Sequence, residues 1–149
     1  MSSTPPVVVT VEGQASGFAQ TLQLGHHAFT ADEVPELGGT DTGPNPYELL
    51  LGALGACTSM TVSMYARRKA WPLTAVRVRL THTKVEASEV PEAETKEGKV
   101  DRITRDIELI GSLDDEQKQR LLEIANKCPV HKTLHSEIVV RSQLVNDLG

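Results

Sequence analysis

The fold is decided by residues 43–60, GPNPYELLLGALGACTSM, and by the residues that follow them. Asn45 can cap the first amides of a helix and Pro46 suits the first helical position, so the stretch predicts a helix start. We expect the helix to run from Pro46 to about Lys69 and to end before Trp71. Its last turn carries three cations, which suit the negative end of the helix dipole: Arg67, Arg68 and Lys69.

This helix is apolar nearly all round, which is typical of a helix buried on most sides. One face carries Tyr47, Leu50, Leu51, Leu54, Cys57, Thr58, Thr61 and Tyr65, and another carries Leu49, Ala53, Ala56 and Met60. A chain of 149 residues has little material to cover such a helix, so we expect a homodimer in which two of them pack together. Glycine within a helix costs about 1 kcal/mol relative to alanine. We therefore interpret the small residues as a helix-packing surface: Gly52, Ala53, Gly55 and Ala56.

The rest of the chain predicts short strands and a second helix. We expect strands at 7–12, 18–24, 27–30, 76–83, 100–110 and 137–144, judged by their apolar alternation. A second helix should start with Ser112 as its cap and continue to Lys127, before a short turn at Cys128-Pro129. This order predicts an α+β fold with mostly antiparallel strands, as a single domain over residues 1–149.

The composition argues against several classes of protein. Hydrophobic residues make up 39% and charged residues 23%, which is typical of a folded soluble domain rather than a disordered chain. The net charge of −5 argues against a nucleic acid partner, because phosphate binding needs a basic patch. Charge is also uneven along the chain, since residues 1–66 contain no Lys or Arg and all 15 basic residues follow them.

Neither the apolar run of the predicted helix nor the start of the chain predicts a membrane segment. The first residues, MSSTPPVVVTVEG, lack the basic region and the apolar run of a signal peptide. The run at 49–66 has no charged residue but several hydroxyl groups, and we interpret it as too polar for a membrane span. We therefore expect a cytoplasmic protein with no membrane partner.

Two cysteines, Cys57 and Cys128, lie far apart in the sequence and form no CxxC unit. Cys57, in an apolar helix, could be a small buried hydrophobe. Cys128 precedes Pro129 at a possible helix start, where amide groups can stabilise a thiolate. His131 and Lys132 could lie on the same side of that turn. A second tight pair of ligands is missing from the sequence, so we predict no metal site.

Two segments together resemble the OsmC/Ohr family of hydroperoxide-defence proteins: GPNPYELLLGALGACTSM and, much later, NKCPVHKTL. The resemblance covers nearly the whole chain. The segments HHAFTADE, GGTDTGPNPYELLLGALGACT and YARRKAWPL are further similar to the YhfA-like branch, often described only as OsmC-like.

The resemblance implies a fold and a chemistry. The fold would be an intertwined homodimer, with two long central helices flanked by sheets from both chains and with active sites at the interface. Cys57 matches the peroxidatic cysteine, which becomes a sulfenic acid, and Cys128 matches the resolving cysteine, which forms a disulfide with it. A dithiol, such as a lipoyl-type group, would reduce that disulfide without any resident cofactor. The implied function is reduction of organic hydroperoxides in oxidative-stress defence.

The chain departs from the family pattern at the groups that activate the cysteine. Tyr47 occupies the usual glutamate position, and the carboxylate lies one step on at Glu48, which is about 100° away on a helix. The family arginine comes from the N-terminal third, but here the first is Arg67. Several side chains remain as activating or pocket groups: Tyr47, Glu48, His27, His131, Lys132, Arg67 and Arg68.

The same departure leaves two other functions open. One is a non-catalytic dimer of the same fold that binds a small apolar or thiol-reactive ligand. The other is a dimeric interaction protein whose two thiols are buried and inert. The reactivity of Cys57 towards an alkylating reagent distinguishes these from a peroxidase.

Overall fold

The computed structural model describes residues 4–149. Their packing divides into two compact units, one ending at Gly52 and the other running from Ala53 to Gly149. One long helix crosses the boundary between the two units. The elements are helices and antiparallel strands, so the α+β prediction is confirmed.

The N-terminal unit contains a three-stranded antiparallel sheet, with strands β1 (Val9–Gly13), β2 (Gln20–Leu24) and β3 (His27–Ala31) in that order. All three predicted strands are present, but β1 and β2 each start two residues later than expected. The register gives the reason, because the ladder closes where Val9 pairs with Leu24 and Gly13 pairs with Gln20. The antiparallel pairing of this hairpin therefore begins at Val9 in β1 and at Gln20 in β2.

A buried carboxylate organises the loop between β3 and the long helix. Asp32 is 2% exposed and accepts hydrogen bonds from the hydroxyl groups of Thr42 (2.6 Å) and Thr40 (2.7 Å) and from the Glu33 amide (2.7 Å). These bonds, led by the one from Thr42, hold the pKa of the Asp32 carboxyl well below its usual range. The Asp32 amide in turn donates to the Pro44 carbonyl at 3.1 Å. The approach to the helix is therefore fixed around one charged group.

Helix α1 spans Pro46–Lys69, as the sequence predicts. Its start is a reciprocal capping box. The Asn45 side chain accepts from the Glu48 amide at 2.8 Å, and the Glu48 carboxylate accepts from the Asn45 amide at 3.0 Å. Within the single chain, Glu48 is therefore a capping residue.

Within one chain, α1 buries only a single row of residues at every fourth position: Leu54, Thr58, Val62 and Ala66. Met60 is 70% exposed and Met64 43% exposed. The expected burial on most sides is thus not achieved by one chain alone. Gly55 lies against Leu80 of the same chain, since a Cβ there would be 2.8 Å from Leu80 Cδ1, whereas a Cβ on Gly52 would meet no described atom within 4 Å. The predicted packing surface is corrected accordingly: Gly55 faces its own chain.

By length and composition, α1 could cross a membrane. Its mean hydropathy reaches 1.4, and 22% of the apolar window is buried. The prediction that this run is too polar to span a membrane was therefore wrong on these two criteria. The core helix of a soluble protein meets the same criteria.

The C-terminal unit contains a long antiparallel hairpin of β4 (Leu73–Glu86) and β5 (Lys99–Gly111). Both strands are longer than predicted, because paired residues continue from Leu73–Gly111 to Glu86–Lys99. The predicted outward basic face is present, and Arg77 on it forms an exposed ion pair with Glu108 at 3.1 Å.

Two helices follow the hairpin, α2 (Asp115–Ala125) and α3 (Pro129–Leu134). Asp114, not Ser112, caps α2, because its carboxylate accepts from the Gln117 amide at 2.7 Å while the Gln117 side chain accepts from the Asp114 amide. The helix ends two residues before the predicted Lys127. Its inner face joins α1 in a buried core: Val62, Ala66, Leu121 and Ala125.

The predicted strand at 137–144 is wrong for the described chain. Residues 137–144 take no regular structure, and Ile138, Val139 and Val140 are 57%, 72% and 81% exposed. A strand needs a neighbour to bond its amides and carbonyls. Within residues 4–149 this segment pairs with neither sheet.

Candidate functional site

The two cysteines meet at the start of α3. The Val130 amide donates to Cys57 Sγ at 3.5 Å, and the His131 amide donates to Cys128 Sγ at 3.3 Å. Because these amides are consecutive, the two sulfur atoms face the same turn of the chain. Both cysteines are free thiols; Cys57 is partly exposed and Cys128 is fully buried, with 0% exposure.

The sequence CPVH produces this geometry locally. Cys128 is the N-cap of α3 and has an extended backbone (φ −63°, ψ 141°), while Pro129 occupies the first turn. A cap residue of this kind turns its side chain back to accept from an amide three residues on. Here the cap atom is sulfur, so the turn directs an N–H group at a thiol.

Arg105, on β5, was missed by the sequence analysis and anchors the site. Nη1 donates to Thr58 Oγ1 (2.8 Å) and to the Ala125 carbonyl (3.2 Å). Nη2 lies 2.8 Å from Asn126 Oδ1 and 2.9 Å from His131 Nδ1. One guanidinium therefore connects α1, the end of α2 and α3.

The sequence feature that points to Arg105 is the alternation of half-buried and exposed positions along β5. In β5 the half-buried positions alternate, and Arg105 falls among apolar residues in that inward series: Ile103, Ile107 and Leu109. Successive side chains of a strand point to opposite faces. A charged side chain at an inward-facing position predicts a buried partner, but the strand was predicted from its apolar members alone.

Thr58 connects Arg105 to the buried cysteine. Its hydroxyl is fully buried, donates to the Leu54 carbonyl at 2.7 Å and accepts from Arg105. The same oxygen lies 3.9 Å from Cys128 Sγ, which is within the longer range of sulfur contacts. A hydroxyl has one proton. The hydroxyl can therefore donate to the Leu54 carbonyl or to Cys128 Sγ, but not to both at once.

The ring of His131 is held in one neutral form. Burial, the Arg105 guanidinium and His135 lower the pKa of His131 from its ordinary value of 6.5. A guanidinium has only donors, so Nδ1 must accept from Arg105 and the ring proton lies on Nε2. The ring also stacks on His135 with centroids 4.5 Å apart.

Acid should weaken the fold through His131. Its pKa is lowered in the folded state, so the unfolded chain binds more protons as the pH falls through 6.5. The stabilisation that neutral His131 gives to the fold is present above that pH and is lost as the pH falls below it. His131→Asn keeps an oxygen acceptor for Arg105 but cannot protonate. In urea unfolding at about pH 7.5 and about pH 5, we expect a smaller acid-induced loss for His131→Asn than for the wild type.

The exposed His26 of the N-terminal unit supplies the matched control. His26→Asn should leave the acid-induced loss of unfolding free energy as it is in the wild type. An equal loss for His131→Asn and the wild type would contradict the assignment of a neutral, partly buried His131.

The other predicted cations of the C-terminal unit lie in solvent. Arg67 and Arg68 are exposed in the last turn of α1, and the Arg68 guanidinium lies 3.8 Å from Met64 Sδ. Lys132 is exposed on α3. Of the predicted histidine and cationic residues in this unit, His131 is the one with a bond to Arg105 in the described chain.

The remaining predicted residues belong to the N-terminal unit. His27 is exposed at the start of β3, with its ring 4.0 Å from that of His26. Tyr47 is 52% exposed in the first turn of α1. Glu48 closes the capping box with Asn45.

Comparison with known proteins is informative for fold and family. The chain is similar to an OsmC-like protein from Mycoplasma pneumoniae (TM-score 0.69, 19% identity, 88% of each chain covered). It is also similar to a Psychrobacter arcticus 273-4 protein whose name assigns it to the osmotic stress induced and detoxification response (TM-score 0.68, 16% identity, 89% of this chain and 91% of that chain). A third similar structure is an organic hydroperoxide resistance protein OsmC from Legionella pneumophila (TM-score 0.64, 17% identity, 89% and 91% covered).

These identities establish the fold alone, and they confirm the OsmC-like architecture expected from the sequence. None of the curated proteins compared with the chain matches it. The family model described as OsmC-like protein matches residues 39–143, which is more than half of the chain and includes both cysteines. The chain therefore belongs to the OsmC-like family.

Proposed function

We propose that this protein is a thiol-dependent peroxidase that reduces organic hydroperoxides, with Cys57 as the attacking thiol and Cys128 as the resolving thiol. Family membership supports a redox or stress-response role, and one similar structure is named an organic hydroperoxide resistance protein. The observation that carries the proposal is the meeting of two free thiols at one turn, each with an amide donor on its sulfur.

The exposure of the two cysteines supports the roles that we propose for them. Cys57 is partly exposed, so a hydroperoxide can reach it, whereas Cys128 is fully buried. The Cys57 thiolate attacks one oxygen of the peroxide; the O–O bond breaks, an S–O bond forms, and the alcohol leaves after taking a proton. Cys128 then attacks the sulfur of the sulfenic acid, a disulfide forms, and water leaves.

The surroundings of Cys57 suit an alkyl substituent. Ala53, Ala56 and Met60 lie within four residues of Cys57 on α1 and are exposed in the single chain. Such a surface favours the carbon chain of an organic hydroperoxide over hydrogen peroxide. In a homodimer of the kind we propose, a second copy of the chain would cover this surface and close the pocket.

The proposal extends to the setting of the reaction. An external dithiol of the lipoyl type would restore both thiols, and no resident cofactor would take part. We propose a cytoplasmic protein without nucleic acid or membrane as a partner. The donors on both sulfur atoms favour thiol chemistry over the alternative, a non-catalytic dimer that binds a small ligand.

The oxidation products test the proposal. With about one equivalent of cumene hydroperoxide, the wild type should lose both free thiols and form an intrachain Cys57–Cys128 disulfide, detected by peptide mass spectrometry. Cys128→Ser should stop at a sulfenic acid on Cys57 and over-oxidise in excess peroxide. Cys57→Ser should retain its Cys128 thiol. Two intact thiols in the treated wild type would overturn the proposal.

A further inference from the structure

The two sulfur atoms of the proposed disulfide lie in different surroundings, and this difference gives its reduction a direction. We infer that the dithiol opens the Cys57–Cys128 disulfide by attacking Cys57, and that Thr58, positioned by Arg105, stabilises Cys128 as the departing thiolate. The inference rests on the proposed function, because it concerns the reductive half of the same cycle.

Access decides which sulfur is attacked. A thiolate must reach a disulfide sulfur in line with the bond that breaks. Cys57 is partly exposed on α1, whereas Cys128 has 0% exposure. A dithiol from solvent therefore meets the Cys57 sulfur first, and Cys128 becomes the leaving group.

The groups around Cys128 suit that role. A leaving thiolate departs faster when its charge is stabilised. Cys128 Sγ has the His131 amide at 3.3 Å, in a partly buried contact, and the Thr58 hydroxyl at 3.9 Å, in a buried contact. For Cys57 Sγ, the structure shows the Val130 amide, at the longer distance of 3.5 Å.

Thr58 can change its partner as charge develops. Its proton is directed at the Leu54 carbonyl at 2.7 Å, and rotation about its side-chain bond would turn that proton towards Cys128. The donation from Arg105 Nη1 to Thr58 Oγ1 at 2.8 Å polarises the hydroxyl and makes it a stronger donor. Arg105 also holds the turn through Asn126 and His131, so it is a positioning residue that acts through Thr58.

Reduction of the disulfide takes two thiol–disulfide exchanges. One thiolate of the dithiol bonds to Cys57 Sγ, the Cys57–Cys128 bond breaks, and Cys128 leaves as a thiolate. The second thiolate of the dithiol attacks the reductant's own sulfur in the mixed disulfide, and Cys57 leaves. Two electrons pass from the dithiol, which becomes a cyclic disulfide, and both cysteines take protons from solvent.

Trapping the mixed disulfide tests the direction in the wild type. The intrachain disulfide is formed with diamide, so that the test does not depend on any reaction with peroxide. It is then mixed with 2-mercaptoethanol, a monothiol that has no second thiol of its own for the intramolecular second step, and quenched with N-ethylmaleimide. Peptide mass spectrometry should find mercaptoethanol on Cys57 and maleimide on Cys128.

Each other result has a definite meaning. Mercaptoethanol mainly on Cys128 would overturn the inference and leave the peroxidase proposal intact. Failure of diamide to join the two cysteines would overturn both. A protein that forms the disulfide with diamide but not with hydroperoxide, and that traps mercaptoethanol on Cys57, would support the inference and contradict the peroxidase.

The role of Thr58 is tested by the rate at which dithiothreitol reduces the disulfide in stopped flow. Thr58→Val removes the hydroxyl at nearly constant side-chain shape. It should slow reduction by about threefold to tenfold, which corresponds to the free energy of one hydrogen bond. Thr58→Ser keeps the hydroxyl and should recover most of the rate. Equal rates for Thr58→Val and the wild type would overturn the part assigned to Thr58.

A double variant distinguishes an effect of Arg105 that acts through Thr58 from a purely structural effect. If Arg105 acts through Thr58, Arg105→Met should slow reduction less in the Thr58→Val background than in the wild type. Losses that multiply fully would contradict this coupling. Circular dichroism confirms folding of each variant, and the wild-type trapping result stands if Arg105→Met does not fold.

Discussion

Cys57→Ser should lose steady-state reduction of cumene hydroperoxide by at least about a hundredfold, because a serine hydroxyl is a weak nucleophile without an adjacent base. In the proposed cycle every turnover begins at the Cys57 sulfur, so no other residue can substitute for it. The assay follows the disappearance of hydroperoxide with dithiothreitol as the reductant. The rate of the variant should equal the rate without protein.

A neighbouring hydroxyl residue supplies the control for this loss. Ser59 lies two residues on from Cys57 in α1 and is likewise half-buried, so Ser59→Ala reports on disturbance of the helix alone. It should retain wild-type turnover. Equal rates for Cys57→Ser and the wild type would end the peroxidase proposal.

The second large effect concerns Gly52 and the homodimer. Among the described residues of the single chain, nothing lies within 4 Å of a Cβ built on Gly52, so there is open space where a leucine side chain would begin, and leucine would gain up to about 1 kcal/mol of helix propensity. If α1 packs against its copy at this surface, the same leucine forces the helices apart, and overpacking costs about 1–3 kcal/mol. We expect Gly52→Leu to destabilise the protein and weaken its dimer.

Light scattering and urea unfolding at several protein concentrations measure both quantities, since the stability of a dimer depends on concentration. Gly55→Ala is the control: Gly55 faces Leu80 of its own chain, so its substitution should affect stability without weakening the dimer. A folded wild-type monomer whose unfolding midpoint is raised by Gly52→Leu would refute the homodimer.

Local signals account for what the sequence predicts well. The bounds of α1 follow from Asn45-Pro46 at its start and from Pro72 soon after its end, because proline cannot continue a helix. The start of α2 was harder, because Ser112 and Asp114 are both good caps, and only Asp114 has Gln117 three residues later to complete the box. The segment at 137–144 has a strand pattern, but pairing depends on a neighbour that local sequence does not specify.

The candidate site likewise contains residues that nearby sequence identifies and residues that it does not. The two cysteines were identified by resemblance and by the CPVH turn, which are features of nearby residues. Arg105 was missed because an arginine was sought before α1, whereas the structure brings one from β5, 47 positions after Thr58. Thr58 was assigned to a packing face, since its bond to Arg105 exists only once the hairpin and α1 have come together.

The loop around Asp32 has a consequence for the response to ionic strength. Residues 1–66 contain no Lys or Arg, so the Asp32 charge is balanced by the donors of Thr40, Thr42 and Glu33 rather than by a cation. Dissolved salt screens attraction between exposed charges, as in the Arg77–Glu108 pair, far more than short hydrogen bonds to a buried group. The entrance to the helix that carries Cys57 therefore keeps its shape at salt concentrations that loosen the protein's surface ion pairs.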